Sequence, residues 1–228
     1  MICRKDAYHE CYSIVSPVYK CVFSINVSVE IPVNVWLVKD GEGVYVIDTG
    51  VESHVDEQIK AAESLGKPKA ILLTHGHSDH IKGAGEWLKA YDLPIYAHEV
   101  ELPFINGEKP YPNKQAPEQN AVAGIVKPLT DEILATLPVS SYLTPGHAPR
   151  HVVYYHEEDK VLMTGDPFIT SREDLHLPIR KFSIDMNENI DSGAIVDDLK
   201  PALISSSHGE EVKYHEDLYK KYVLRYRD

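Results

Sequence analysis

Residues 70–80 read Ala70-Ile71-Leu72-Leu73-Thr74-His75-Gly76-His77-Ser78-Asp79-His80. The apolar residues 70–73 fit a short buried strand. Beyond the polar run, Ile81, Ala84 and Leu88 recur at helical spacing, which predicts a helix to about Tyr91. Three histidines and an aspartate therefore stand where a strand gives way to a helix. Side chains at such a junction converge above a sheet edge, where ligands sit in open α/β folds. Given the chain's own composition, an H-x-H-x-D-H window should arise by chance roughly 0.002 times per chain. Solvated loop histidines are a poor account of the group.

The residue types suit a metal, because neutral imidazole and carboxylate are good ligands for zinc and for iron or manganese. His75 and His77, two apart in a loop, can point the same way. Asp79 and His80 fall on the first helical turn and point elsewhere. The four thus divide between two adjacent ions. Three later positions repeat one pattern of strand, sharp turn with Gly, then His or Asp: Pro145-Gly146-His147, Gly165-Asp166 and His208-Gly209. Each is weak alone, since Gly-Asp after a strand is usually just a turn. Together they supply the His, Asp and His that a closed two-metal site still lacks.

Around these motifs the chain alternates strand and helix. Residues 18–38 read as extended, with Val27, Val29, Ile31 and Val33 alternating before Val35-Trp36-Leu37-Val38. The turn Asp40-Gly41-Glu42-Gly43 makes 33–38 and 44–48 a hairpin, whose second strand stops at Asp48-Thr49-Gly50. Helices are expected at about 53–65, 188–199 and 214–226. Further strands are expected at 93–97, 139–143, 151–156, 161–164 and 202–205. Residues 98–138, broken by Pro103, Pro110, Pro112 and Pro117, are the least readable. Neither a linker-like stretch nor an internal repeat is visible, and strands alternating with helices in both halves predict one α/β layered domain over 1–228.

Composition narrows the function classes. A formal net charge of −12 disfavours a nucleic-acid partner, although bound cations can dominate a local field. No apolar run approaches the length of a membrane span. The start, MICRKDAYHECYS, carries charges where a secretory leader would be apolar. Cys3, Cys11 and Cys21 are odd in number and lack CxxC spacing, so they read as reduced thiols rather than a disulfide framework. Cytoplasmic location is the resulting expectation.

With these residues in place, the chain resembles the metallo-β-lactamase superfamily. The family's H-x-H-x-D-H motif stands at His75–His80, its later His in Thr144-Pro145-Gly146-His147, its bridging Asp in Thr164-Gly165-Asp166, and its last His in Ser207-His208-Gly209. Its early Asp-Thr-Gly matches Asp48-Thr49-Gly50. The resemblance implies a four-layer αβ/βα sandwich with metals where the two sheets meet. It implies that His75, His77 and His147 hold one ion, that Asp79, His80 and His208 hold a second, and that Asp166 bridges them. Asp48 would then orient ligands rather than ligate.

Departures shape the expected activity. Ala148 and Arg150 interrupt the familiar Pro-Gly-His-Thr-Pro-Gly-His segment, and Arg150 is a candidate for the rim of the site. The second-metal set has no Cys, unlike many true β-lactamases, which points away from antibiotic hydrolysis. Hydroxyacylglutathione hydrolases carry a helical substrate domain after the last His, where this sequence has twenty residues. The Tyr that acyl-homoserine lactonases place after the bridging Asp is replaced by Pro167-Phe168-Ile169. Nuclease members usually add domains and basic surfaces.

The resemblance implies a small-molecule hydrolase with two divalent ions, zinc first and iron or manganese as alternatives. Two cations about 3.5–4 Å apart share a water acidic enough to become hydroxide near neutral pH. Asp79 is the candidate catalytic proton carrier. Two other readings compete: a mononuclear iron member that oxidises sulfur compounds, and a non-catalytic binding module. Phe168, Arg172, His176, Arg180 and Phe182, with Phe104 and Tyr111, are candidates to lie over the metals, although core packing or surface solvation is the commoner fate of such residues. His98, His151, His156 and His215 read as structural.

Overall fold

The protein is a computed structural model that describes residues 10–15, 18–26, 30–171 and 173–227. Residues 1–9 of the charged start, Cys3 among them, and Val27, Val29 and Arg172 lie outside these.

Seven strands follow one another across the first sheet: β1 (Glu10–Val15), β2 (Val18–Asn26), β3 (Glu30–Asp40), β4 (Gly43–Ile47), β5 (Lys67–Leu72), β6 (Ile95–Ala97) and β7 (Lys127–Pro128). β1 to β4 form an antiparallel meander, and β4 to β7 are parallel. The expected hairpin is β3 and β4, closing with Asp40 opposite Gly43. The extended stretch 18–38 proves to be a second hairpin, with Asn26 opposite Glu30.

The rest of the chain supplies β8 (Ser140–Leu143), β9 (Val152–His156), β10 (Val161–Met163), β11 (Ile169–Ser171), β12 (Asp174–His176), β13 (Leu203–Ser205), β14 (His208–Gly209) and β15 (Val212–Lys213). The second sheet has the order β15-β13-β10-β9-β8, and β12-β11-β14 form a small third one.

Among the described residues eight α-helices complete the fold: α1 (Val55–Leu65), α2 (Ser78–Ile81), α3 (Ala84–Ala90), α4 (Leu102–Ile105), α5 (Asp131–Leu134), α6 (Met186–Ser192), α7 (Ile195–Leu199) and α8 (Leu218–Tyr226). The helix expected after the motif is interrupted between α2 and α3, and the one expected at 188–199 is interrupted between α6 and α7. Side chains set some of the starts. Thr130 Oγ1 accepts from Ile133 N ahead of α5, and Asp185 accepts from Asn187 N and Glu188 N ahead of α6.

Strand alternation builds the layers. In β3, Val35 and Leu37 face α1 and α3, packing with Val55, Ala62 and Trp87. Trp36 and Val38, one residue out of phase, face the other sheet and meet Val152, Tyr154, Val161 and Met163. In β9 and β10, Val153, Tyr155 and Leu162 turn outward onto Met186, Ile190, Val196 and Tyr222 of α6 to α8. Three apolar seams therefore separate helix, sheet, sheet and helix, the four-layer αβ/βα sandwich expected. Strands buried on both faces explain why 35–38 and 70–73 read as continuous apolar runs.

Several buried polar groups between the layers are paired. Trp36 Nε1 donates to Ser205 Oγ at 2.9 Å, and Trp87 Nε1 donates to Gln58 Oε1 at 2.9 Å. Asn34 Nδ2 donates to Ser206 O at 2.7 Å and Gly209 O at 2.9 Å, tying β3 to the end of β13.

One expectation is corrected. Cys11 and Cys21 form a disulfide between β1 and β2, where the register sets them opposite. Cysteine count and spacing do not reveal cross-strand register. The pairing removes the cysteine argument for a reducing compartment. Among the described residues no helix is long and apolar enough to cross a membrane.

Candidate metal centre

β4 and β5 end side by side, and each releases part of the site. Asp48 follows β4 with φ of 55°, a left-handed conformation that Asp tolerates better than most residues. Its buried carboxylate reaches across to the β5 end. Oδ1 accepts from Thr74 N at 2.8 Å, and Oδ2 accepts from Thr74 Oγ1 at 2.7 Å. Oδ2 also lies 2.8 Å from His80 Nδ1. A carboxylate only accepts, so His80 Nδ1 carries a proton and Nε2 is the ring nitrogen turned to the cluster. Burial opposes the charge on this ring, but Asp166, Asp79 and Asp48 outweigh it and hold His80 well above the ordinary histidine range, a place where a cation is favoured. Thr74 Oγ1, having given its proton to Asp48, accepts from His75 Nδ1 at 3.0 Å. His75 Nε2 is thereby freed. Asp48 is the orienting group that the resemblance implied.

The second sheet delivers the remaining groups from turns. Gly146 has φ of 118°, and a Cβ there would stand 2.1 Å from Asn189 N. Gly165 has φ of 62°, and a Cβ there would stand 2.5 Å from His151 Nε2. Only glycine turns the chain so sharply at such close approach, and each turn aims the next residue, His147 or Asp166, at the 75–80 loop. His151 Nε2 accepts from Asp166 N at 3.2 Å and its Nδ1 sits 2.8 Å from Thr144 Oγ1, so this histidine shapes the turn. His98 accepts from Val100 N, and His156 lies 3.0 Å from Asp159.

All seven predicted residues meet. Three sets place their ligand atoms within 4.8 Å of one another: His75, His77 and His147; His75, His80 and Asp166; Asp79, His80 and His208. His77 Nδ1 and His147 Nε2 are 3.0 Å apart. Asp166 Oδ2 is 3.3 Å from His147 Nε2 and 3.3 Å from His80 Nε2, while Oδ1 is 3.4 Å from His208 Nε2. Asp79 Oδ2 lies 3.4 Å from His208 Nε2. The backs of two further rings are held, with His208 Nδ1 donating to Pro32 O at 2.7 Å and His147 Nδ1 at 3.1 Å from Ser183 Oγ.

The chemistry of this donor set fits metal ions. Nε2 of His75 and Nε2 of His77 are buried without a hydrogen-bond partner, and buried polar atoms are rarely left so. Burial, reinforced by the neighbouring imidazoles, holds His75 well below the ordinary histidine range, and burial brings His147 down to about 4. Neutral imidazole is the form that ligates. Around Asp166 and Asp79 the balance reverses. Burial opposes the charge on His208, but the Asp166 and Asp79 carboxylates outweigh it and push the ring up to about 10. Burial likewise raises Asp79, yet His80 and His208 overcome it and hold the carboxyl well below its usual range. Positive charge is what the two carboxylates call for.

A cavity of about 460 Å³ opens over the cluster. Phe182 lines it, as anticipated, whereas the Phe168 ring is fully buried and packs in the core against Tyr222. His176 instead turns to Ser171 and Tyr226, and Arg180 is not part of the lining. Arg150 does not line it either; its backbone N donates to buried Glu101. Phe104 stacks on Tyr111, whose ring meets His77 edge-on at 4.8 Å. Lys114, Glu118 and Pro178 also line the cavity. Their segments carry no motif, so sequence gave no signal for them.

A four-layer sandwich holding imidazoles and carboxylates at its open edge defines a metallo-hydrolase. The family model described as the metallo-beta-lactamase superfamily matches residues 29–208, and the chain belongs to that superfamily. It is 62% identical over 211 residues to "Probable metallo-hydrolase YybB" of Bacillus subtilis, covering 92% of this chain and 96% of that one. "Probable metallo-hydrolase YflN" of the same organism is 28% identical, over 62% of this chain and 64% of the relative. Among solved structures, a metallo-β-lactamase from Erythrobacter litoralis superposes with a TM-score of 0.73 over 95% of both chains, at 15% identity, which is a likeness of fold.

Proposed function

We propose that this protein is a binuclear metallo-hydrolase that uses water to cleave an ester, thioester, lactone or phosphodiester bond of a small molecule. The observation that carries this reading is the position of Asp166, whose Oδ2 stands 3.3 Å from a ligand atom of each half of the cluster, His147 and His80. His75, His77 and His147 would hold one ion, Asp79, His80 and His208 the other, with Asp166 shared. Zinc suits these donors first, with iron or manganese as alternatives. When bound, a pair of divalent ions supplies an acidified water and polarises the substrate oxygen.

The chain's own residues do the rest. Asp48 and Thr74 fix the rings of His75 and His80, so little reorganisation accompanies reaction. Asp79 is the ligand whose side chain is most open to the cavity, 30% exposed against 7% for Asp166. It is therefore placed to take a proton and pass it to the leaving atom. A small molecule suits a cavity of about 460 Å³, and a net charge of −12 disfavours nucleic acid.

Elemental analysis joined to a substrate screen tests the proposal. About two zinc ions per chain with turnover of one bond class supports it. One iron per chain with oxidation of a thiol would favour the sulfur-oxidising reading. Absence of metal and of turnover would leave a binding module.

A further inference from the structure

The walls of the cavity differ from its floor. The floor is the cluster of His and Asp side chains; the wall includes Pro32, Ile169, Pro178, Ile179 and Phe182. Among the described lining residues the cationic side chain is Lys114, and Glu118 lies 2.9 Å from its Nζ. The apolar wall also continues to the outside. Six large apolar side chains among the described residues are exposed, and two of them, Ile179 at 43% and Phe182 at 40%, stand together at this mouth. Paired exposed apolar residues at the rim of a cavity mark a surface that something apolar covers.

Bound cations would attract an anionic reacting group to the floor. Discrimination therefore falls to the walls, which meet the part of the substrate away from the scissile bond. A glutathione or nucleotide moiety carries charges and many polar groups there, whereas Lys114 already has Glu118 as its ion-pair partner and stands over the Phe182 ring. An alkyl chain needs nothing but apolar contact.

Resting on the hydrolase reading above, we propose that the substrate is a carboxylic ester or thioester whose acyl chain is uncharged and of medium length, lying along Ile169, Ile179 and Phe182. One water is consumed. A C–O bond forms from it to the acyl carbon, the ester C–O or thioester C–S bond breaks, and one water proton goes to the leaving alcohol or thiol. The other proton is released as the carboxylic acid ionises.

The test uses the full chain loaded with zinc. It is assayed on 4-nitrophenyl acetate, butyrate, hexanoate and octanoate, on the matching acyl thioesters, and on bis(4-nitrophenyl) phosphate. The expected result is a rise in kcat/KM of about fourfold for each methylene that reaches the wall. Ile179→Asp should lower the hexanoate-to-acetate ratio about tenfold, and the volume-conserving Ile179→Met should keep it. A flat or falling chain-length series, or faster cleavage of the phosphodiester, overturns the acyl-chain proposal and leaves the hydrolase reading intact. Failure to turn over any class with two zinc ions bound overturns both. The wild-type series decides the matter even where a variant does not fold.

Discussion

Asp48 Oδ2 lies 2.8 Å from Nδ1 of His80, and the same oxygen takes the Thr74 hydroxyl proton at 2.7 Å. One carboxylate oxygen thus orients His80 directly and His75 through Thr74, although Asp48 ends a different strand from either. The relationship assigns Asp48 a role that needs both of its oxygens as acceptors.

Asp48→Asn should break that arrangement while changing little in size. Three donors meet the two oxygens, and an amide offers only one acceptor oxygen. One amide N–H must then face a donor. Metal affinity should fall about 10–100-fold, the usual loss when an orienting partner is removed. Competition with a chromophoric chelator measures it; affinity equal to wild type would show that the rings do not depend on Asp48.

Asp166→Ala removes the group placed between His147 and His80. Loss of metal should exceed the range for orienting partners, so more than about 100-fold, with turnover lost in parallel. Metal content after gel filtration and initial rates report the two together. Full metal content in this variant, or in His77→Ala, is incompatible with the proposed site.

Gly165→Ala probes the turn rather than the metal. The positive φ and the 2.5 Å approach of a Cβ to His151 Nε2 both oppose it. Backbone strain alone costs of order 1–3 kcal/mol. Urea denaturation of the metal-free protein should show at least that loss, because the strain is present without any ion.

Much of this site is legible in the sequence, for a physical reason. His75, His77, Asp79 and His80 are local, at a strand-to-helix junction, and strand ends with a glycine beside the His or Asp announced His147, Asp166 and His208. The supports were not legible. Pro32 O meets His208 across 176 residues, and Ser183 meets His147 across 36. A backbone carbonyl and a lone serine carry no pattern. The third sheet escaped because its strands of two or three residues carry neither a period nor a continuous apolar run. The Cys11–Cys21 pair escaped because register is a tertiary property.

That disulfide is itself testable. It closes a loop with a sequence separation of 10 residues, for which chain entropy gives roughly 2–3 kcal/mol. Cys11→Ser should be less stable than the oxidised wild type by about that much. Reductant should bring the wild type down to the variant and leave the variant unchanged. Equal denaturation midpoints under oxidising conditions would mean the bond is not formed.

Glu101 makes a prediction with a sign in pH. It is fully buried, accepting from Tyr111 Oη at 2.7 Å and from Arg150 N at 2.8 Å. Burial raises its carboxyl above the ordinary range, and the hydrogen bonds only partly offset this. An acid raised in the folded state favours folding while it is protonated. That contribution is complete below the unfolded pKa and is lost as pH rises through the folded one. Glu101→Gln presents a neutral amide at every pH and has no such dependence. Its stability relative to wild type should therefore be poorest near about pH 4 and improve toward about pH 7. Urea denaturation of both proteins across that range, without metal, measures the difference. A gap that widens with rising pH would mean that the Glu101 charge is stabilised by its donors more than it is penalised by burial.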